Sequence, residues 1–375
     1  MNLYKPYTLA LLLLALLGFS SCTEEGPGET DEVNFDQQAM LTNIGQNIIF
    51  PAYANFSTTT SLLEEAIHEF TEQPTAASLA AAQDALKATY HSWIRVEPFE
   101  FGPAMEVNLR MNINHFPTDF SEVEESIAAG SWDLNGLYSS NKKGLPALDY
   151  LLFSGASQEE ILAAYTTAEN AEARRQYLHE VTDQVTTLAN EVYTAWSDNG
   201  ENYLGDFISN TGTEAGTSLS NLVNQFNQGY EITKNKRLGI PIGVNSMKGD
   251  VFPRATEAFY SGISLPLMQA HLLNMEALFK GEANGTDGLG LDDYIDAIYE
   301  AGNIQDDLSA TILSQFQNIH SAVAAIPEPL PEAIVNNPDK TRAAYDEIVA
   351  LMQYIKTDMP SALSVNISYV DNDGD

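Results

Sequence analysis

Apolar residues recur at three- and four-residue steps along nearly the whole chain, the signature of amphipathic helices packed on one face. Leu79, Leu86, Tyr90 and Trp93 share one such face and predict a helix over 75–96. Ser157 and Glu160 stand at capping-box spacing. Behind them Leu178, Val181, Val185, Leu188, Val192 and Trp196 mark one long helix, which Asn199-Gly200 should end. Asn337-Pro338 offers an N-cap followed by an N1 proline, and Tyr345, Ile348, Met352 and Ile355 continue the buried stripe behind it. Similar stripes run through 37–70, 251–280 and 290–325. Only 365–370 alternates apolar and polar residues clearly, predicting a minor strand. No strand–helix rhythm exists, so a parallel α/β sheet is excluded. The expected fold is all-α.

The chain has 375 residues, a length that suits two domains. The polar, glycine-bearing stretch 199–218 interrupts the helical pattern. It divides the chain into helical bundles at 37–200 and 201–375, with a linker within 199–235. Each half arranges helices around one apolar segment marked by glycine and proline, a weak sign of duplication.

Composition adds a partner class and removes another. Fifty-two acids against 17 bases give a net charge of −35. Such a surface repels phosphate backbones, so nucleic acid is not an expected partner. Cys22 is the single cysteine, which excludes internal disulfides and thiolate metal clusters. Lys5, the short apolar run Leu9–Phe19 and the small residues Ser20 and Ser21 before Cys22 read as a lipoprotein signal over 1–21. The run is too short to span a bilayer. Acylated Cys22 would then hold the mature chain on a lipid bilayer. Residues 22–36 are acidic and almost devoid of apolar residues, a flexible tether. The expected location is the outer membrane, on its periplasmic face or at the cell surface.

Three stretches break the helical pattern and carry charge. The first, 93–103, holds Trp93, Arg95, Glu97 and Glu100 at a corner built from two prolines and a glycine. The second, 142–153, holds Gly144, Pro146 and Asp149; Pro146 suits a first helical turn, and Asp149 lies where the helix dipole favours an acid. The third, 234–243, holds Arg237 and Pro241 and is followed by Arg254, Glu257 and Ser261. Lys142, Lys143, Lys234, Lys236, Arg237, Lys248 and Arg254 cluster in or near the last two, a candidate positive pocket. Glu97, Asp149 and Glu257 are the carboxylates available to a hard divalent or ferric cation. No H-E-x-x-H, P-loop or G-x-S-x-G occurs, and no two histidines lie at helical metal spacing. The ending Asp371-Asn372-Asp373-Gly374-Asp375 mimics the start of a calcium loop without its later glutamate.

W-x-R-V-E-P-F-x-F-G-P at Trp93–Pro103, G-L-P-A-L-D-Y-L-L-F at Gly144–Phe153 and R-L-G-I-P-x-G at Arg237–Gly243, in that order, resemble the imelysin-like family of bacterial envelope lipoproteins. The D-N-D-G-D ending and the acidic tether resemble features of Bacteroidetes members. The resemblance implies two bundle-like helical domains with a functional site between them. It implies a link to iron uptake, or the peptidase activity after which the family was first labelled. The family's G-x-H-x-x-E, whose His and Glu are taken as metal ligands, aligns with Gly144, Pro146 and Asp149. A proline cannot ligate through its side chain, so one carboxylate remains, too few for a catalytic zinc. Three readings follow. The first is a noncatalytic binding lipoprotein serving iron or other metal acquisition, with a small ligand or metal ion at the interdomain site and envelope proteins as partners. The second is a divergent metallopeptidase, and the third a binder of anionic glycans. All three place the charged stretches in one interdomain pocket.

Overall fold

The computed structural model describes residues 33–369, apart from 137 and 245. The expected leader, Cys22 and the acidic ending therefore lie outside the described residues. Eight long or central helices organise the rest: α1 (Phe50–Glu72), α2 (Ala76–Val96), α3 (Gly144–Phe153), α4 (Ala171–Trp196), α5 (Ser218–Ile232), α6 (Ser264–Phe279), α7 (Leu308–Ala324) and α8 (Pro338–Gln353). The fold is all-α, with no sheet among the described residues.

The predicted stripes are the buried faces. Leu79, Leu86, Tyr90 and Trp93 of α2 are fully buried, as are Leu178, Val181 and Val192 of α4. Thr75 caps α2, with its side chain accepting from the Ser78 N–H and Ser78 answering the Thr75 N–H. Asn337 precedes α8 as expected but makes no side-chain cap bond.

The helices pack in two groups. In the first, α1 lies against α2 and α4, and α3 lies against α2 and α4. In the second, α7 lies against α6 and α8, and α5 runs through a π-helical turn (Thr233–Gly239) that reaches α6 and α8. The groups touch where α2 meets α6 and where the 3-10 turn Glu97–Phe99 meets α5. The stretch 199–217 contains a short helix, Tyr203–Ser209, whose buried Phe207 stacks on Phe101 at 5.8 Å between ring centroids.

Two details differ from the sequence pattern. The stripe over 251–280 is helical only from Ser264; 253–255 is a 3-10 turn and the rest is irregular. The strand expected over 365–370 does not form in its described part, 365–369. Val365 is buried and Ile367 half-buried, so the alternation is real. The backbone partner is a side chain, however: Asn224 of α5 donates Nδ2 to the Asn366 carbonyl (3.0 Å) and accepts from the Ser368 N–H (2.7 Å). An asparagine amide reproduces the donor–acceptor pair of one ladder rung without a second strand.

Candidate functional site

At the C-terminal end of α2 the chain turns through Glu97-Pro98-Phe99, and Glu97 enters the junction between the helix groups. The π-helical turn after α5 aims Arg237 at the same point. Arg237 Nη2 meets Glu97 Oε2 at 2.8 Å, Nε meets Glu257 Oε2 at 2.7 Å, and Nη1 reaches Thr233 Oγ1 at 3.3 Å. Asn114 Nδ2 donates to the other oxygen of Glu257 at 2.6 Å. All three ionic side chains are 1% exposed. Burial pushes the Glu97 carboxyl up, but Arg237 foremost, with Arg110 behind it, more than offsets this, so it sits below its ordinary range. Glu257 keeps a net upward shift from burial, which Arg237 only partly offsets and the nearby Glu97 reinforces. His271, fully buried on α6, has Nδ1 3.4 Å from Glu97 Oε2 and Nε2 3.2 Å from the Gly229 carbonyl. Burial and the Arg237 charge push its imidazole down to about 3, so it is neutral. This is a packed ion network holding three chain segments together.

Asp149 belongs to a neighbouring but different environment. Gly144 opens α3 with φ +70°, and a Cβ there would stand 2.3 Å from the Ile113 carbonyl oxygen. Only glycine permits that close approach, which lays α3 against the 109–113 helix. Asp149 lies one turn beyond the start of α3. Its oxygens accept the backbone N–H of Tyr260 (2.8 Å) and of Ser261 (3.0 Å). The acid thus serves the loop before α6 rather than the dipole of its own helix. Burial pushes its carboxyl up to about 6, against the lowering effect of these hydrogen bonds. The Tyr90 hydroxyl is buried without a hydrogen-bond partner, and after burial its phenol is pushed up by the charges of Asp149 and Glu257.

Outside Asp149 an open cleft of about 500 Å³ is lined by Pro146, Asp149, Arg254 and Tyr260 together with Phe116, Phe120, Phe252 and Phe259. The exposed Arg254 guanidinium stands 5.8 Å from the Phe259 ring centre. Phe116 borders this cleft and also faces Arg237, 6.0 Å from its ring centre, so one aromatic ring lies between the cleft and the ion network.

The predicted residues therefore divide. Pro146, Asp149 and Arg254 share the cleft, and Ser261 anchors its rim through Asp149. Glu97, Arg237 and Glu257 converge, but as a solid knot. Pro241 is buried in the turn after Arg237, its carbonyl accepting the Phe252 N–H at 2.7 Å. Trp93 is core, packed on Phe56, with its indole N–H unpartnered. Arg95 is exposed and points elsewhere, because residues two apart on a helix do not share a face. Glu97, Asp149 and Glu257 do not form a cation cage. Both glutamates are committed to Arg237, and among the described residues no group of three or more His, Cys, Asp or Glu is placed to hold a metal ion. The positive pocket also dissolves: Lys142 approaches Glu122, Lys143 donates to the Leu134 carbonyl and Lys234 pairs with Glu231.

Sequence reasoning missed His271, Asn114 and the aromatic wall of the cleft. His271 reads in the sequence as an isolated polar residue on an apolar helix, and nothing in its spacing signals Glu97 from the other half of the chain.

The sequence matches the family model described as Imelysin over residues 49–356. It is 23% identical over 316 residues to Iron-regulated protein A of Synechococcus elongatus, covering 78% of each chain. The fold is similar to a crystal structure of a protein described as an iron-regulated protein A precursor from Parabacteroides distasonis, with TM-score 0.71 and 17% identity over 87% of this chain and 94% of that one. It is also similar to an imelysin-like protein from Psychrobacter arcticus, with TM-score 0.68 and 19% identity over 90% and 99% of the two chains.

Proposed function

The chain belongs to the imelysin family, and from that premise we propose that it is a noncatalytic ligand-binding protein of the cell envelope, serving the acquisition of iron or another metal. One observation carries the noncatalytic part. Where the family motif places a histidine this chain has Pro146, and the remaining acid, Asp149, gives its oxygens to the Tyr260 and Ser261 backbone amides. A catalytic zinc needs about three protein ligands and an open position, and this set offers none to spare. Relatives that bear the name iron-regulated protein A support the link to iron. The export signal ending at Cys22 supports an acylated, membrane-held protein with its ligand cleft at Pro146, Asp149 and Arg254 and with envelope proteins as partners. No helix among the described residues is long and apolar enough to cross a membrane, so in this reading the anchor is the lipid. The division into bundles at 37–200 and 201–375 belongs to the same proposal.

The test has three arms. Abundance of the protein in cells deprived of iron should rise, and mass spectrometry should find an acylated Cys22 as the mature N-terminus. Peptide hydrolysis should be absent with zinc, manganese or iron supplied. Metal-dependent hydrolysis abolished by Asp149→Ala would overturn the noncatalytic reading in favour of the divergent peptidase. A second reading, an anionic glycan in the same cleft, is favoured by the aromatic wall beside Arg254, since rings and a guanidinium suit a sugar acid.

A further inference from the structure

A second concavity is larger than the Asp149 cleft. It is a groove of about 770 Å³ where the start of α1, the end of α2 and α6 meet the turn at 282–285. It shares no lining residue with the cleft. Its size is that of a small-molecule site, typically about 300–1,000 Å³. The space exists because the facing helices present small side chains there: Ala88 on α2, and Ala270 and Ala277 on α6.

Its charges are unevenly committed. Lys280 is paired with Glu282 at 2.5 Å, and Glu276 is held by His320 at 2.6 Å and by Gln317 at 2.9 Å. Arg95 and His91, one helical turn apart on α2, are exposed in the groove and bond to none of the described residues. Four other arginines, Arg174, Arg175, Arg237 and Arg342, are in salt bridges. Arg110 is spread over the Glu97 carbonyl, Gln225 and Gln228. In a chain with three acids per base, Arg95 shares with Arg254 of the other cleft the condition of a guanidinium left without a carboxylate in a concave site. The amide of Asn55 is likewise uncommitted, and Asn274 has one donor on the Ile94 carbonyl and its oxygen available.

We propose that this groove is a second ligand site and that it takes a small molecule or sugar unit bearing a carboxylate beside hydroxyl groups. The guanidinium of Arg95 matches a carboxylate with two parallel N–H donors. His91 offers a further donor, and the Asn55 and Asn274 amides can both give to and accept from hydroxyls. That chemistry is presented by free hydroxycarboxylates and by uronic acids within glycans alike. The inference does not depend on the function proposed for the Asp149 cleft.

Calorimetry on the full chain in detergent, with citrate and with trigalacturonate as probes and galactose as the neutral control, tests it. At least one acidic probe should bind, and galactose should not. Arg95→Ala should weaken that binding roughly 10- to 100-fold with an unchanged melting temperature, since Arg95 has no intramolecular partner to lose. Ala277→Phe, which fills the groove and leaves its charges in place, should abolish binding. Arg342→Ala, on the exposed face of α8 and outside both concavities, should leave it unaltered. Binding of citrate alone assigns a free acid, and of trigalacturonate alone a glycan. If neither probe binds, if Arg254→Ala rather than Arg95→Ala removes the binding, or if Ala277→Phe has no effect, the groove is not the site.

Discussion

Two regions only one aromatic ring apart use the same residue types in opposite ways. On one side of Phe116, Arg237 is saturated by Glu97, Glu257 and Thr233 with no space around it. On the other side, Arg254 stands in an open cleft with no carboxylate paired to it, and Asp149 accepts from the backbone amides of Tyr260 and Ser261. Charge in a sequence marks a place where tertiary structure must act, but not which action it takes. A buried ion must be fully paired or its desolvation dominates, so the knot is structural. Only a group with bonding capacity to spare can meet a ligand, so binding is sought around Arg254 and Arg95.

The sharpest way to break this contrast is Arg237→Met. It leaves two buried carboxylates facing each other and should cost about 3–5 kcal/mol in urea unfolding, whereas Arg254→Ala should stay within about 0.5 kcal/mol. Equal costs would erase the distinction. Next comes Gly144→Ala. The positive φ alone costs about 1–3 kcal/mol, and the collision with the Ile113 carbonyl adds to it, so the melting temperature should fall and the cleft should deform with it.

Acid should then act mainly on the knot. His271 is held down to about 3 against an ordinary imidazole near 6.5, so the unfolded chain binds the proton that the native state refuses. Its contribution is fully present above about pH 6.5 and is lost as pH falls toward 3; at pH 5 the loss is roughly 2 kcal/mol. Asp149, pushed up to about 6, has the opposite sign: its contribution is present below its unfolded value and lost as pH rises through 6. Melting curves from pH 4 to 8 should therefore flatten on their acid side in His271→Gln and steepen there in Asp149→Asn. Smaller still, Asp149→Asn at pH 7 turns one backbone amide toward an NH₂ group, at about 1–2 kcal/mol. A neutral or stabilising result would mean that the Tyr260 and Ser261 amides do not depend on a carboxylate.

Most of the fold was legible along the chain. The stripe from Leu178 to Trp196 is a helix because its spacing leaves no other way to bury Leu178, Val181, Val185, Val192 and Trp196 on one face. The segment 365–369 was half legible: its alternation correctly exposes one face and buries the other, yet no local signal says that Asn224, some 140 residues earlier, would take the place of a neighbouring strand. The site was read in the same uneven way. Pro146, Asp149 and Arg254 were singled out and do share a cleft. The adjacent letters of the first charged stretch suggest one site, but the helix sends Arg95 and Glu97 to different sides.

The sequence by itself determined the helical periodicity, the interruptions at 93–103, 142–153 and 234–243, and the replacement of a motif histidine by Pro146, because each depends on residues within a few positions of one another. Tertiary structure alone decided that Arg237 would be consumed by Glu97 and Glu257 while Arg95 and Arg254 would not. Pairing of charges depends on distances below about 4 Å between groups up to 140 residues apart, and side-chain types place no constraint on such distances until the helices have packed.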